Sequence, residues 1–460
     1  MSSEGDNHRG GSVRSADAGE KRPLSSVSTR QRHIAQMARK YAASPLTTLS
    51  HHMDEAWMRE AYRRVRRDSA PGVDGQSVAD YGMNLEQNLR GLLERAKNGS
   101  YRAAPVKRAY IPKNETETRP IGIPTVENKV LERAVVMLLE PVYEIEFKDC
   151  SYGFRPKRST HQALEAVRRE AMAMGGGWVL DVDVRQYFDT IPHEQLREVL
   201  SRRIGDGVIN RLIGKWLKAG VWESGTVTYP EAGTPQGGVI SPMLSNIYLH
   251  EVMDRWFEEE IKPELKAQAS LVRFADDFVV VCSERAEAET LLERIRTRFA
   301  GYGLTIHPEK TRIVDFRHPW KSGQKPQTFD FLGFTHYWGK TRKGGYAVKR
   351  KTQGKKFRAA LQRVEQWCKS NRHRPLRDQH TQLCAKLQGH YAYYGIRGNY
   401  RALANFHHAV TRRWHYWLMR RSREGLNGAR LWRTLGYFAL SPPRIVHGHR
   451  PDQLQWSLLS

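Results

Sequence analysis

The stretch RFADDFVVVC, Arg273–Cys282, decides the fold. Strand-forming residues flank Asp276 and Asp277 on both sides, and short polar side chains between two such runs predict the turn of a β-hairpin. Two carboxylates are thereby presented side by side at a sheet edge. Upstream, WVLDVDVRQYFDT holds a second acidic cluster. Strand alternation puts Asp181 and Asp183 on one face and Val182 and Val184 on the other. Neighbouring carboxylates repel unless neutralised, and one then takes up a proton. Oxygen donors from two strands suit hard cations, and a pair of Mg2+ ions about 4 Å apart is the arrangement that drives in-line displacement at phosphorus. An isolated ADD also serves as a plain turn, so the segments around it must decide.

Those segments lie in a strongly basic chain. Of its 460 residues, 75 are Lys or Arg and 49 Asp or Glu, a formal charge of +26. Such an excess points to a polyanionic partner, nucleic acid foremost, and 12 Trp and 19 Tyr interleaved with Arg add surfaces on which bases stack. Cys150, Cys282, Cys368 and Cys384 form no CxxC or Cys/His ligand pattern, which argues against a disulfide framework or structural zinc. The first residues lack the apolar core of a signal peptide, and no run approaches the roughly 18 apolar residues of a membrane span. The expectation is a cytoplasmic protein with no membrane partner.

Residues 1–30 read as a disordered tail of Ser, Gly and charge. Helical, basic sequence follows to about residue 100, interrupted by the turn SAPGVDGQ. From there to about 335, strand signals (KRAYIPK, GWVLDVDV, LVRFAD, DFVVVC, TRIVDF) alternate with amphipathic stretches, predicting an α+β domain with a modest central sheet. WGKTRKGGYAVKRKTQGKK, residues 338–356, reads as a hinge before a helical region reaching about residue 425, and residues 426–460 as a short tail.

FADD together with DVRQYFDTIPH resembles reverse transcriptases of the group II intron-encoded type, and the resemblance spans roughly residues 60–440. It implies a right-hand polymerase: fingers and palm over 31–335, a helical thumb or maturase domain over 336–425, and a possible remnant DNA-binding region in 426–460. Asp183, Asp276 and Asp277 are then the catalytic metal ligands, with the Val184 carbonyl as a fourth oxygen and two Mg2+ ions as cofactor, for which Mn2+ can stand in. Phe188 matches the aromatic steric gate that excludes a ribose 2′-hydroxyl. GTPQGGVISPMLSNIYLHEVMD places Gln236 and Gly237 at the nucleotide pocket, IPKNETETRPIGIPT places Lys113 and Arg119 on the triphosphate, and LTIHPEKTRIVDF places Lys310 near the leaving pyrophosphate. Phe331, Leu332, Gly333 and Phe334 resemble the primer grip. CSYGFRPKRSTHQAL implies phosphate contacts by Arg155, Lys157 and Arg158. SAPGVDGQ resembles an N-terminal loop that lies over template or a partner protomer.

LCAKLQGHYAYYGIRGNYRALANFHHAVTRRWHYWLMRRS resembles the maturase segment, with Arg412, Arg413, Arg420 and Arg421 as RNA contacts. Among its rings, Tyr391, Tyr393, Tyr394, Trp414 and Trp417, at least half belong to packing. No HNH endonuclease pattern follows. The implied partners are intron RNA, an RNA template with a DNA primer, deoxynucleoside triphosphates and a DNA target site, the chain acting as a monomer or a homodimer. A domesticated or CRISPR- or defence-associated enzyme acting on another RNA is the alternative.

Overall fold

The computed structural model describes residues 26–112, 118–234, 237–322, 326–421 and 436–448. Lys113, Gln236, residues 1–25 and most of the expected C-terminal tail lie outside the described residues. Eleven strands occur among those described: β1 Val106–Pro112, β2 Thr118–Ile123, β3 Trp178–Val182, β4 Val221–Glu223, β5 Thr226–Thr228, β6 Ala269–Phe274, β7 Asp277–Cys282, β8 Arg312–Asp315, β9 Phe329–Phe331, β10 Phe334–Lys340 and β11 Tyr346–Thr352. They form three small sheets, ordered β2-β1-β4-β5, β6-β7-β3-β8 and β11-β10-β9. The single central sheet of the sequence reading is thus one of three. The short β4 and β5 carry too few apolar residues to announce themselves.

The helix Val126–Tyr143 is the hub of the larger core. Thr125 caps its start by accepting from the Asn128 amide, and apolar residues on almost every side leave it buried nearly all round. Helices Ser26–Lys40 and Glu55–Arg63 pack on it, with the Trp57 indole donating to the Ala134 carbonyl at 3.0 Å. The first described helix starts at Ser26, within the stretch expected to be tail, and Val27 is buried in this core. The SAPGVDGQ turn rests on the hub helix: Lys129 reaches the Ala70 carbonyl at 2.6 Å, and a Cβ on Gly72 would stand 2.6 Å from the Thr125 backbone.

The expected hinge is a β-hairpin instead. β10 and β11 pair over seven residues from Phe334↔Thr352 to Lys340↔Tyr346, and Gly344 turns at φ +83°. Lysine and glycine content suggested flexibility, but Trp338 and Val348 lie directly opposite one another, and such cross-strand pairs hold a hairpin. Helices Gly354–Asn371, Leu376–Tyr394 and Tyr400–Met419 then bury a stripe of Leu361, Val364, Leu383, Leu387, Leu403, Phe406, Val410, Trp414 and Leu418. No helix among the described residues is long and apolar enough to cross a membrane.

Candidate active site

The hairpin β6–β7 turns through Ala275 and Asp276, with Phe274 opposite Asp277. Ala275 sits at φ +57°, a left-handed conformation that costs a residue bearing a Cβ about 1 kcal/mol or more. The turn is clamped from behind. The Arg273 guanidinium, wholly buried, donates to the Ala275 carbonyl at 2.8 Å, to Asn246 at 3.2 Å and to the Ser151 hydroxyl at 2.8 Å, and forms a two-pronged pair with Asp254, Nε–Oδ1 being 2.6 Å. Asp254 lies where the helix begun at Ser241 widens to i→i+5 bonding over His250–Arg255, a local expansion often found near functional sites. On the other side Gly153 approaches so closely that a Cβ there would stand 2.2 Å from the Ala275 amide nitrogen.

Beside this turn, β3 lies antiparallel to both β7 and β8, with Asp181 opposite Val279 and Arg312. Asp183 follows the last residue of β3. Its carbonyl accepts from the His307 amide at 2.8 Å, and Val184 bridges to Ile306. Asp181 spends its carboxylate on Arg312 at 3.0 Å.

Asp183, Asp276 and Asp277 line one cavity of about 1020 Å³, together with Val184, Arg119, Phe188, Lys310, Phe331, Leu332 and Gly333. Burial, and secondarily the neighbouring Asp276, Asp183 and Asp181, push the Asp277 carboxyl up to about 7. Its side chain still opens to the cavity, so water softens the burial part of that shift. Asp276 is raised in the same direction, chiefly by burial and also by Asp183, while Arg119 opposes the shift. The Lys310 ammonium stands 3.7 Å from Asp183. Hard oxygen donors that repel one another fit a divalent cation. Among the described residues no three His, Cys, Asp or Glu side chains make a finished metal cage.

Other predicted residues divide. Phe188 is half-buried at the cavity wall, next to the fully buried Tyr187, whose hydroxyl donates to the Ser245 carbonyl at 2.8 Å. Leu332 and Gly333 form the two-residue β9–β10 turn with φ +49° and +77°, and the Tyr393 hydroxyl donates to the Leu332 carbonyl at 2.9 Å. Phe334 is buried beneath that turn rather than in the cavity. Gly237, at φ +111°, is also off the cavity wall: a Cβ there would stand 2.5 Å from the Gly122 carbonyl oxygen, so this glycine lets its loop lie against β2.

Arg155 is a correction. It is buried, paired with Glu144 at 3.1 Å, and donates to the carbonyls of Lys148 at 2.8 Å and Ser151 at 2.9 Å, which leaves no guanidinium face for a phosphate. Its segment supports the acidic turn from behind. Lys157 is exposed, and Arg158 pairs with Asp149 at 2.5 Å. In the last helix Arg412 is exposed, Arg413 pairs with Glu365 at 3.0 Å, Arg420 lies 3.5 Å from the Tyr416 ring centre, and Arg421 donates to the His373 carbonyl at 3.2 Å. Tyr391 and Trp414 are core residues, whereas Tyr393 and Tyr394 line the cavity.

Sequence reasoning missed Lys356, Arg185, His307, Asp330 and Gln353 on the cavity wall. Lys356 stands in a run of lysines that no spacing distinguishes. Asp330 and Gln353 are joined by a 2.9 Å hydrogen bond that exists only once β9 and β11 are brought together.

The family described as reverse transcriptase (RNA-dependent DNA polymerase) matches residues 111–336, which include all three clustered aspartates. Protein YkfC of Escherichia coli K12 is 34% identical over 321 residues, a match covering 61% of this chain and 84% of that protein. The group II intron-encoded protein LtrA of Lactococcus lactis subsp. cremoris is 37% identical over 220 residues. The chain belongs to the group II intron-type reverse transcriptases. Its match to LtrA covers 45% of this chain and 36% of LtrA. Nuclear intron maturase 2, mitochondrial, of Arabidopsis thaliana is 26% identical over 239 residues, covering 44% of this reverse transcriptase and 30% of the plant protein.

Proposed function

We propose that this reverse transcriptase copies RNA into DNA at the cavity holding Asp183, Asp276 and Asp277, and that it binds a group II intron RNA to assist splicing and retrohoming. In this reading the hairpin β1–β2 and the helices before it are fingers, the sheet β6-β7-β3-β8 is the palm, and the helices from Gly354 to Met419 are the thumb. The observation that carries it is the convergence in one cavity of the three aspartates with Arg119 and Lys310.

The three carboxylates and the Val184 carbonyl would hold two divalent cations, Mg2+ or Mn2+, which would supply positive charge for nucleotidyl transfer. The protein's own groups do the rest. Arg119 offers a planar fork and Lys310 a point charge to the triphosphate, and Lys113 is assigned with them. The Phe188 ring fills the space that a 2′-hydroxyl would need. Leu332 and Gly333, held by Tyr393, present backbone to the primer end. Gln236 and Gly237 shape the approach to the nucleotide, Gly237 by seating its loop on β2. Arg412, Arg420 and Arg421, with Lys157 and Arg158, supply positive charge toward RNA.

The test pairs two measurements on the full chain. Extension of a DNA primer on an RNA template in Mg2+ reports the polymerase. Affinity for a group II intron RNA against an unrelated structured RNA of equal length, at one salt concentration, reports the maturase role. Preference for the intron RNA is expected, and equal affinity would favour a domesticated enzyme serving another RNA.

A further inference from the structure

A second basic concavity lies away from the acidic cavity and shares no residue with it. It encloses about 690 Å³ at the end of the sheet β2-β1-β4-β5 where β1 and β4 begin and β5 ends, with Pro105, Gly220 and Tyr229 in its lining. Arg102, Arg197, Arg211, Lys215 and Lys218 line it, and no Asp or Glu is among its lining residues. Two of these cations have a structural task, since Lys215 donates to the Gly99 carbonyl at 2.6 Å and Arg211 to that of Lys97 at 3.1 Å. Arg102, Arg197 and Lys218 are exposed and have no ion pair among the described residues. Three exposed like charges facing one hollow repel unless an anion joins them.

Tyr229 adds a second feature. It follows β5, is 72% exposed, and rests against the backbone at Gly220, where a Cβ would stand 3.1 Å from Tyr229 Cε1. A phenol ring backed on one side and open on the other is a surface for an unpaired base, and a duplex would hide its bases from it.

We propose that this groove binds an unpaired nucleic acid strand, with Arg102, Arg197 and Lys218 on its phosphates and Tyr229 stacked on a base. The site extends the nucleic-acid reading given above but does not depend on the aspartates. RNA and DNA share the phosphate and base chemistry, so both are tested.

The experiment measures, by fluorescence anisotropy over a salt series, binding of a 30-nucleotide single strand, as RNA and as DNA, and of a blunt primer–template hybrid, to the full chain. The variants are Arg102→Gln with Lys218→Gln, and Tyr229→Ala. The double variant is expected to flatten the slope of log K against log salt by about 1.4 for the strand, two contacts at roughly 0.7 each. Tyr229→Ala is expected to weaken strand binding about fivefold or more. Hybrid binding and primer extension should stay within about twofold, which also shows that the exposed substitutions leave the fold intact. Loss confined to RNA or to DNA names the strand and supports the groove. Unchanged affinity and slope for both strands, as a protein occupant would give, overturns the groove while leaving the polymerase assignment intact. A wild-type chain that binds neither strand nor hybrid would overturn both.

Discussion

Asp277 titrates far above an ordinary aspartate, pushed up to about 7 by burial and by the carboxylates around it. Between about pH 4 and pH 7 the folded state therefore holds a proton that the unfolded chain, with its carboxyl near 3.8, has released. Stability from this group is fully present below about pH 4 and falls as pH rises from there through about 7. A divalent cation competes with that proton. Thermal unfolding should accordingly show a larger Mg2+-induced rise in midpoint at pH 8 than at pH 6, and Asp277→Asn should remove the difference. An equal rise at both pH values would show that the cation does not meet this carboxyl. At the same cavity Phe188→Val is expected to raise ribonucleotide incorporation about tenfold or more while leaving deoxynucleotide incorporation within a few-fold, as removal of a steric block does. Single-nucleotide extension with matched ribo- and deoxynucleotides reads it directly, and unchanged selectivity would take Phe188 out of that role.

The unit that matters at the next scale is the β6–β7 hairpin with its backing. Gly153 and Arg273 fix where Asp276 points without reaching the cavity themselves. Gly153→Ala must move the turn, because the new methyl would stand 2.2 Å from the Ala275 amide nitrogen. A displacement of roughly 1 Å at reacting groups costs on the order of a hundredfold in rate, so DNA synthesis should fall by about that factor while the circular dichroism spectrum is retained. Asp254→Ala leaves the Arg273 charge buried without its partner and should destabilise the fold by about 3–5 kcal/mol in denaturant unfolding. A change below about 1 kcal/mol would mean that the pair is not the brace described. The hairpin itself was legible because β-branched runs around two aspartates admit few alternatives. Its backing was not. Arg155 read as a phosphate contact, since a sequence shows that a residue is charged but not which side of a turn it will occupy. The β10–β11 strands were hidden for a related reason, the lysines and glycines between Trp338 and Val348 reading as a flexible run.

Across the whole molecule the proposed function asks opposite things of the basic charge and the acidic cavity, the one to gather polyanions and the other to hold cations for chemistry. The alternation of short strands with helices and the helical C-terminal region could be read from the chain because each depends on local periodicity, whereas the three aspartates were singled out by the family resemblance of FADD and DVRQYFDTIPH. The cavity wall was read only in part. Lys356, Asp330 and Tyr394 come from segments far apart in sequence and meet only after β9–β11 and the last helices pack beside the palm sheet. The groove at Tyr229 was invisible for the same reason, its cations being scattered from Arg102 to Lys218.

The central claim is that the aspartate cluster performs DNA synthesis while the basic surfaces bind RNA. Primer extension on an RNA template and equilibrium binding of structured RNA, both made on one preparation of Asp276→Ala with Asp277→Ala, test it most directly. The account predicts DNA synthesis lowered by about a thousandfold or more, equivalent to roughly 4 kcal/mol of lost transition-state stabilisation, with RNA affinity unchanged or slightly tighter in a protein two negative charges poorer. Synthesis within tenfold of the wild type in the folded double variant would contradict it.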